Sequence, residues 1–352
     1  LADHVESIVF PEVSPIFVVG APRSGTTLFS RILDGHPHLG IADELIYFDI
    51  ILTARTVVPD LSTPARIEQL FELLPKMDHV PFWKGMEQVL AETKRRLLAE
   101  PDPSYPKFYL FLMQVYAGLR GASRFGEKTP WNVRHLDEIV RLFPKARIIH
   151  LVRDPRANVA SRRKLPRTSR DVVTAAVKWK LDVLAGRRFA RGPNASSANY
   201  IELRYEDLVR DPEPAVRRIC DFIGEPFHPG MLALEREPDV MFKDQPWKEG
   251  VFRPVHTGSL QAWRKELSPA QARLVELICG PEMRHFRYPQ DGGGSIPGAA
   301  ARLPAELTDW LLFKRSDAQR KKADTSIAFR HGSLPMYRLL VNTIRSRFRR
   351  EV

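Results

Sequence analysis

An α/β fold, with a mainly parallel sheet and helices on both faces, is what this sequence predicts. Three observations carry the expectation. Apolar β runs alternate with amphipathic helical patterns along the chain. The first such run, 16–19, feeds a Gly/Pro/Ser/Thr turn and then a helix, the context of a phosphate cradle. Every loop with suspicious chemistry follows a strand, and in open parallel sheets ligands bind beyond the carboxyl ends of the strands.

Taken in order, "IFVV" (16–19) is the first strand and opens "GAPRSGTT". Leu28, Ile32 and Leu33 then share one helical face. The first amides of that helix lack intrahelical partners and point at an anion. Gly20 and Gly25 have the spacing of the P-loop G-x-x-x-x-G-K-[ST]. No lysine follows Gly25; Thr26 and Thr27 do, and the cation is Arg23, two residues earlier. "LGIADE" (39–44) reads as a short extended piece ending at two carboxylates. Residues 62–75, 83–99 and 105–120 read as helices, and "SRFGEKTP" (123–130) breaks that pattern. "NVRHLDEIVRLFP" is an amphipathic helix stopped near Pro144. "ARIIHLV" (146–152) reads as a buried strand, and "RDPRANVASRRK" as a turn entering a helix with Pro155 near its start. A long helix is expected over 169–190, a strand within "NYIELRYEDL" (199–208), and a helix in "PEPAVRRICDFIG" closed by Gly224. The expected division is a main domain at 1–288, a Gly/Pro-rich linker at 289–300, and a basic helical extension at 301–352.

Composition narrows the function classes. The 352 residues are 43% hydrophobic and 27% charged, ordinary for a globular protein. No apolar run approaches the roughly 18 residues of a spanning helix. "LADHVESIVF" lacks the basic start and apolar stretch of a signal peptide. Cys220 and Cys279 fall at apolar positions of helical patterns, so buried free thiols in a reducing, cytoplasmic setting are expected. Net charge is +12, and residues 301–352, with 12 Lys/Arg against 5 Asp/Glu, hold +7 of it. A polyanionic cofactor and a basic tail account for this more simply than nucleic acid, because aromatic-rich stacking motifs are missing.

Three segments carry a resemblance to a known family: "APRSGTTLFSRILDGHP", "FPKARIIHLVRDPRANVASRR" and "IELRYEDLVRDPEPAVRRICDFIGEPF". Their residues, order and separations resemble the sulfotransferases that use 3′-phosphoadenosine 5′-phosphosulfate, on the P-loop NTPase-like sulfotransferase fold. "PRSGTTL" with "HPHLGIADE" is most similar to the bacterial tyrosylprotein-sulfotransferase-like branch. The resemblance spans about residues 15–285. It implies that Arg23, Ser24, Gly25, Thr26 and Thr27 hold the 5′-phosphate, and Arg153 and Ser161 the ribose 3′-phosphate. The physical reading agrees: such a donor needs two anion sites, and Arg23 offers a bidentate fork to phosphate or sulfate oxygens. The resemblance further places Tyr205 near the adenine, and Ser259 and Arg264, in "HTGSLQAWRKELS", over the 3′-phosphate. Arg156, Arg162, Arg163 and Lys164 are nearby cations whose roles the sequence does not sort.

For chemistry the resemblance implies Arg23 and Lys128 as cations at the leaving group and Glu44 as the base. Fixed cations lower the barrier of in-line transfer by preorganisation. Asp43 competes for the base; in a strand it and Glu44 face opposite sides, so only one points into the cleft. His36 and His38 rank lower, since His36 lies beside a proline at a helix end. The scheme needs no metal. The alternatives are a P-loop small-molecule kinase and a non-catalytic nucleotide- or nucleic-acid-binding module. Against the kinase, the apolar run of "ARIIHLVRD" ends at Arg153, where an NTPase has its Mg²⁺-binding Asp. The expected acceptor is a hydroxyl of a small molecule, glycolipid or peptide. Residues 45–120 should shape its site, with most of Tyr47, Phe48, Phe71, Phe82, Trp83, Phe108, Tyr109 and Phe111 in the core and one or two lining a pocket. In the tail, Met336, Leu340, Ile344 and Phe348 recur at helical spacing among Arg338, Arg345, Arg347, Arg349 and Arg350. Such a helix either packs on the main domain or makes a peripheral contact with an anionic membrane surface.

Overall fold

The computed structural model describes residues 8–49, 51–77, 86–164, 171–234 and 257–290. Five strands, β1 (Ile16–Gly20), β2 (Leu39–Asp43), β3 (Arg124–Lys128), β4 (Arg147–Val152) and β5 (Tyr200–Arg204), form one sheet in the order β2-β3-β1-β4-β5. Every neighbouring pair is parallel. The expected α/β class with a parallel sheet is therefore what the chain adopts. β1 lies at the centre and is buried on both sides, which is why its sequence is a continuous apolar run instead of an alternation.

The helices are α1 (Thr26–Leu33), α2 (Pro64–Leu73), α3 (Glu87–Ala99), α4 (Tyr105–Leu119), α5 (Leu136–Leu142), α6 (Pro155–Arg163), α7 (Val172–Ala190), α8 (Tyr205–Arg210), α9 (Pro212–Ile223), α10 (Trp263–Glu266) and α11 (Pro269–His285). Ile16 and Val18 of β1 pack with apolar residues of α1, α8 and α9. Phe17 and Val19 pack with those of α2 to α5. A third cluster joins α6, α7 and α11 around Trp179. The alternating side chains of one strand thus anchor helices on both faces. Polar side chains set helix starts: Asp154 accepts from the Arg156 amide at 2.8 Å, and Ser268 and Gln271 form a capping box at α11. Gly224 ends α9 with φ of 77°, as its sequence position predicts. Cys220 and Cys279 are buried free thiols.

One strand departs from the sequence reading. "RFGEK" pairs as β3 between β2 and β1, where only a break in helical pattern was legible. Its last two residues are charged yet wholly buried, because partners from other elements neutralise or hydrogen-bond them. "RYEDL" begins a short helix, α8, directly after β5. Phe82, Trp83, most of the 289–300 linker and the whole 301–352 extension lie outside the described residues. Among the described residues no helix is long and apolar enough to cross a membrane.

The contact between β1 and β3 depends on Gly126, where a Cβ would overlap the Ile16 carbonyl. Gly126→Ala is expected to lower the unfolding free energy by about 1–3 kcal/mol. In urea titration the midpoint falls with the slope unchanged; an unmoved midpoint would show that the strands have room to spare.

Candidate active site

The loop after β1 folds as a cradle. Gly25 takes φ of 91° at the start of α1, and a Cβ there would run into the ring of Tyr205. Arg23 also adopts a left-handed φ, 75°, which is uncommon for a residue with a side chain. Ser24 turns inward: its hydroxyl accepts from Asn158 Nδ2 at 3.2 Å, and the same amide donates to the Pro22 carbonyl at 2.9 Å. Asn158, unnoticed in the sequence, thereby ties the cradle to α6. Thr26 is buried and Thr27 half-buried at the first turn of α1.

The loop after β4 meets this cradle. Arg23 Nε donates to Ser161 Oγ at 3.1 Å, and Arg153 Nη1 donates to the Arg23 carbonyl at 3.2 Å. The Arg153 guanidinium lies 4.4 Å from the centre of the Tyr205 ring. Burial and then the charge of Arg153, with Arg162 adding to it, push the Arg23 pKa down, while Glu44 opposes them. Arg23, Ser24, Gly25, Thr26, Arg153, Ser161 and Tyr205 therefore converge on one place. The electrostatics of that place suit an anion with several charged oxygens.

The structure sorts the remaining cations. Arg156 is buried on Asp154 (2.7 Å) and Glu276 (2.7 Å) with its guanidinium 4.2 Å from the Trp263 ring, a structural role. Arg163 donates to the Glu266 carbonyl and Lys164 pairs with Glu266. Arg162 is the one of this set that Arg23 feels. Arg264 donates to Gln261 Oε1 at 2.7 Å and lies over Trp263, the ring that also meets Arg156 of α6. Ser259 sits in a 3-10 turn, 257–259, and its side chain lies outside what the structure describes.

Lys128, at the end of β3, is fully buried. Its ammonium contacts the carboxylates of both Asp43 and Glu44, the latter at 2.7 Å. Burial pushes its pKa down, but the two carboxylates outweigh burial and hold it above the usual lysine value. The expectation that Asp43 and Glu44 face opposite sides is corrected here. Glu44 lies just past β2 with φ of 48°, so strand alternation has ended and both carboxylates reach one ammonium. They differ in access: the Glu44 side chain is 38% exposed and that of Asp43 4%. His36 is structural, as its place at a helix end suggests: Nε2 bonds the Pro226 carbonyl at 2.9 Å and Nδ1 accepts from the His38 amide. His38 pairs with Glu225. Of the acceptor-site aromatic candidates in the described part, Tyr47, Phe108 and Tyr109 are in the core, as are Tyr105 and Tyr116, while Phe48, Phe71 and Phe111 are partly buried against it.

Glu127 points to the other face of β3 from Lys128. It is wholly buried and accepts from the Tyr109 hydroxyl, from Asn132 Nδ2 and, at 3.1 Å, from Thr129 Oγ1. Burial pushes its pKa up to about 7 against these bonds, which pull it down. Nothing in "RFGEK" singles this carboxylate out, because its partners come from α4 and from the turn after β3.

Comparisons with known proteins point to one family. A family model described as "Sulfotransferase family" matches residues 15–229. Protein-tyrosine sulfotransferase A of Caenorhabditis elegans is 26% identical over 305 residues, which are 84% of this chain and 72% of that protein. Carbohydrate sulfotransferase 7 of Mus musculus is 36% identical over 121 residues, 32% of this chain and 23% of that one. Among solved structures, the sulfotransferase domain from the Synechococcus PCC 7002 olefin synthase superposes with a TM-score of 0.57 at 22% identity, covering 81% of this chain and 98% of that domain. That last likeness is one of fold.

The raised pKa of Glu127 makes a pH prediction. Between the ordinary carboxyl value and about 7 the native state binds more protons here than the unfolded state, so stability falls as pH rises through that window. The contribution is on the order of 3 kcal/mol. Thermal melts from pH 4.5 to 8 should show this decline in the wild type and a shallower one in Glu127→Gln. Parallel curves would mean that Glu127 does not titrate there.

Proposed function

This chain belongs to the sulfotransferase family, and from that premise we propose that it transfers the sulfuryl group of 3′-phosphoadenosine 5′-phosphosulfate to an acceptor hydroxyl. The observation that carries the donor assignment is the meeting of Arg23, Ser161, Arg153 and Tyr205 beside the first turn of α1. The loop 23–27 is assigned the 5′-phosphosulfate and Arg153 with Ser161 the 3′-phosphate. Tyr205, packed against Gly25 and Arg153, is assigned the neighbourhood of the base. Backbone amides at a helix start and arginine forks are the groups such oxygens require.

The proposed reaction is in-line. The acceptor oxygen forms a bond to sulfur while the bond from sulfur to the bridging oxygen breaks. The electron pair leaves on the 5′-phosphate of adenosine 3′,5′-bisphosphate. The acceptor proton goes to the Glu44 carboxylate, whose exposure beside the buried Asp43 favours it as the base. Before transfer, two carboxylates share the Lys128 ammonium. Once Glu44 is protonated, Lys128 is balanced by Asp43 alone and its pull extends to the charge developing on the leaving phosphate. Relatives named for protein tyrosine and for carbohydrate both act on hydroxyls, which supports a hydroxyl acceptor. Placement in the bacterial tyrosylprotein-like branch belongs to the same proposal and rests on "PRSGTTL" and "HPHLGIADE".

Calorimetry tests the donor site. Adenosine 3′,5′-bisphosphate should bind far more tightly than 5′-AMP, and Arg153→Ala should cost the bisphosphate about 2–5 kcal/mol. Equal affinity for the two nucleotides would remove the 3′-phosphate site.

Turnover tests the chemistry. Glu44→Gln should bind the bisphosphate as the wild type does and lose at least about 100-fold in kcat. Lys128→Ala should likewise reduce kcat more than affinity. A fully active Glu44→Gln enzyme would pass the proton to another group.

A further inference from the structure

The turn that brings Glu44 to Lys128 is strained. Glu44 and Ile46 both have left-handed φ, 48° and 51°. For a β-branched residue such as Ile46 this is a true outlier. Conformations of this kind persist only where the surroundings over-determine them, and they gather at functional sites. The surroundings here are β3 and the residue after it. The Glu44 amide donates to the Lys128 carbonyl at 2.8 Å. The Leu45 amide lies near enough to the Glu127 carboxylate to help hold its pKa down against burial. The Ile46 amide donates to Thr129 Oγ1 at 3.3 Å, and that hydroxyl in turn donates to Glu127.

Glu127 is thus the point on which the turn is hung. It holds the Ile46 amide through Thr129, and the Leu45 amide lies beside it. Tyr109 and Asn132 fill its remaining lone pairs, and Tyr109 also stacks at 4.1 Å on Tyr47, the residue that follows the turn. A carboxylate so deeply buried is costly, and an apolar residue packed in its place would avoid that cost. An apolar residue would leave the Thr129 hydroxyl, and with it the Ile46 amide, without the acceptor that anchors them.

We propose that Glu127 is a positioning residue for the transfer reaction: through Thr129 it pins the left-handed 44–46 turn and so sets the Glu44 carboxylate on Lys128. The proposal rests on the assignment of Glu44 as the base, and its test separates the two. In Glu127→Gln an amide cannot accept from all the donors that the carboxylate serves. Thr129→Val removes the acceptor of the Ile46 amide and one donor to Glu127 while leaving the carboxylate in place, and Thr129→Ser keeps both.

The full chain carries each substitution. Hydrogen exchange at the Leu45 and Ile46 amides reads the turn, kcat reads the chemistry, and calorimetry with adenosine 3′,5′-bisphosphate reads the donor site. Glu127→Gln and Thr129→Val should speed exchange at residues 45 and 46 by about tenfold or more, with β1 and β4 unaffected. Both should lower kcat about tenfold or more while the affinity for the bisphosphate stays within twofold, and Thr129→Ser should restore kcat. The proposal is overturned if both variants exchange and turn over like the wild type, or if kcat falls only together with bisphosphate affinity and β1 protection. An active Glu44→Gln enzyme would instead sink the base assignment, leaving exchange at 45 and 46 to judge the turn. Should Glu127→Gln fail to fold, the Thr129 pair decides alone.

Discussion

A lysine ammonium with no surface in contact with water is the constraint around which this end of the molecule is built. Removing such a charge from water costs several kcal/mol unless opposite charge meets it. Lys128 meets two carboxylates. Asp43 is its register partner across the β2–β3 pair, so the parallel alignment of those strands delivers the first. Glu44 is one residue too far along for a strand to deliver it, and a left-handed backbone supplies the turn. The edge strand, the strained turn and the assigned base are consequences of one buried charge. The three side chains together carry net negative charge, and proton uptake by Glu44 would leave a balanced pair.

The arginines divide by the same logic. Arg156 is held above the usual value: burial lowers it, and Asp154 and Glu276 more than compensate. Arg134 is raised in the same way, chiefly by Asp182. Both fasten loops or helices together. Arg23 is equally an arginine in a sheltered place, yet it is pushed down, by burial and then by Arg153. Carboxylates stand beside Arg156 and Arg134, whereas Arg153 and Arg162 stand beside Arg23. This difference of neighbours, which residue type alone does not show, is what the proposed donor site rests on.

That explains what was legible in the sequence. β1 and β4 are apolar runs because they are buried on both faces, so composition reveals them. The cradle at 20–27 was legible because glycine spacing and a following helix are local features. Arg153, Ser161 and Tyr205 were reached through a motif resemblance, and the fold brings them to Arg23. β3 was missed because its burial is achieved by pairing charges with groups far away in the chain: Lys128 with Glu44, 84 residues apart, and Glu127 with Tyr109, 18 apart. The strand alternation rule misplaced Glu44 because the rule holds only while backbone dihedrals stay extended. Ile46 at positive φ runs against its own preference, and local preference is all that a short window of sequence reports.

Strand order accounts for the division of labour within the proposed reaction. The chain leaves β1 for β2 on one side of the sheet and leaves β4 for β5 on the other, so the neighbours β1 and β4 flank the point where the winding reverses. Crevices form at such points. β2 and β3 bring Asp43, Glu44 and Lys128 from one side; β4 and β5 bring Arg153 and Tyr205 from the other. Arg23, on the central loop, feels both, drawn by Glu44 and repelled by Arg153. A donor seated on the β4–β5 side would therefore present its reactive end to Arg23, at the border of the carboxylate side, without competing for Lys128. The separation of the two charge systems by one strand lets the β4–β5 side be rich in cations and the β2–β3 side net negative at the same end of the sheet.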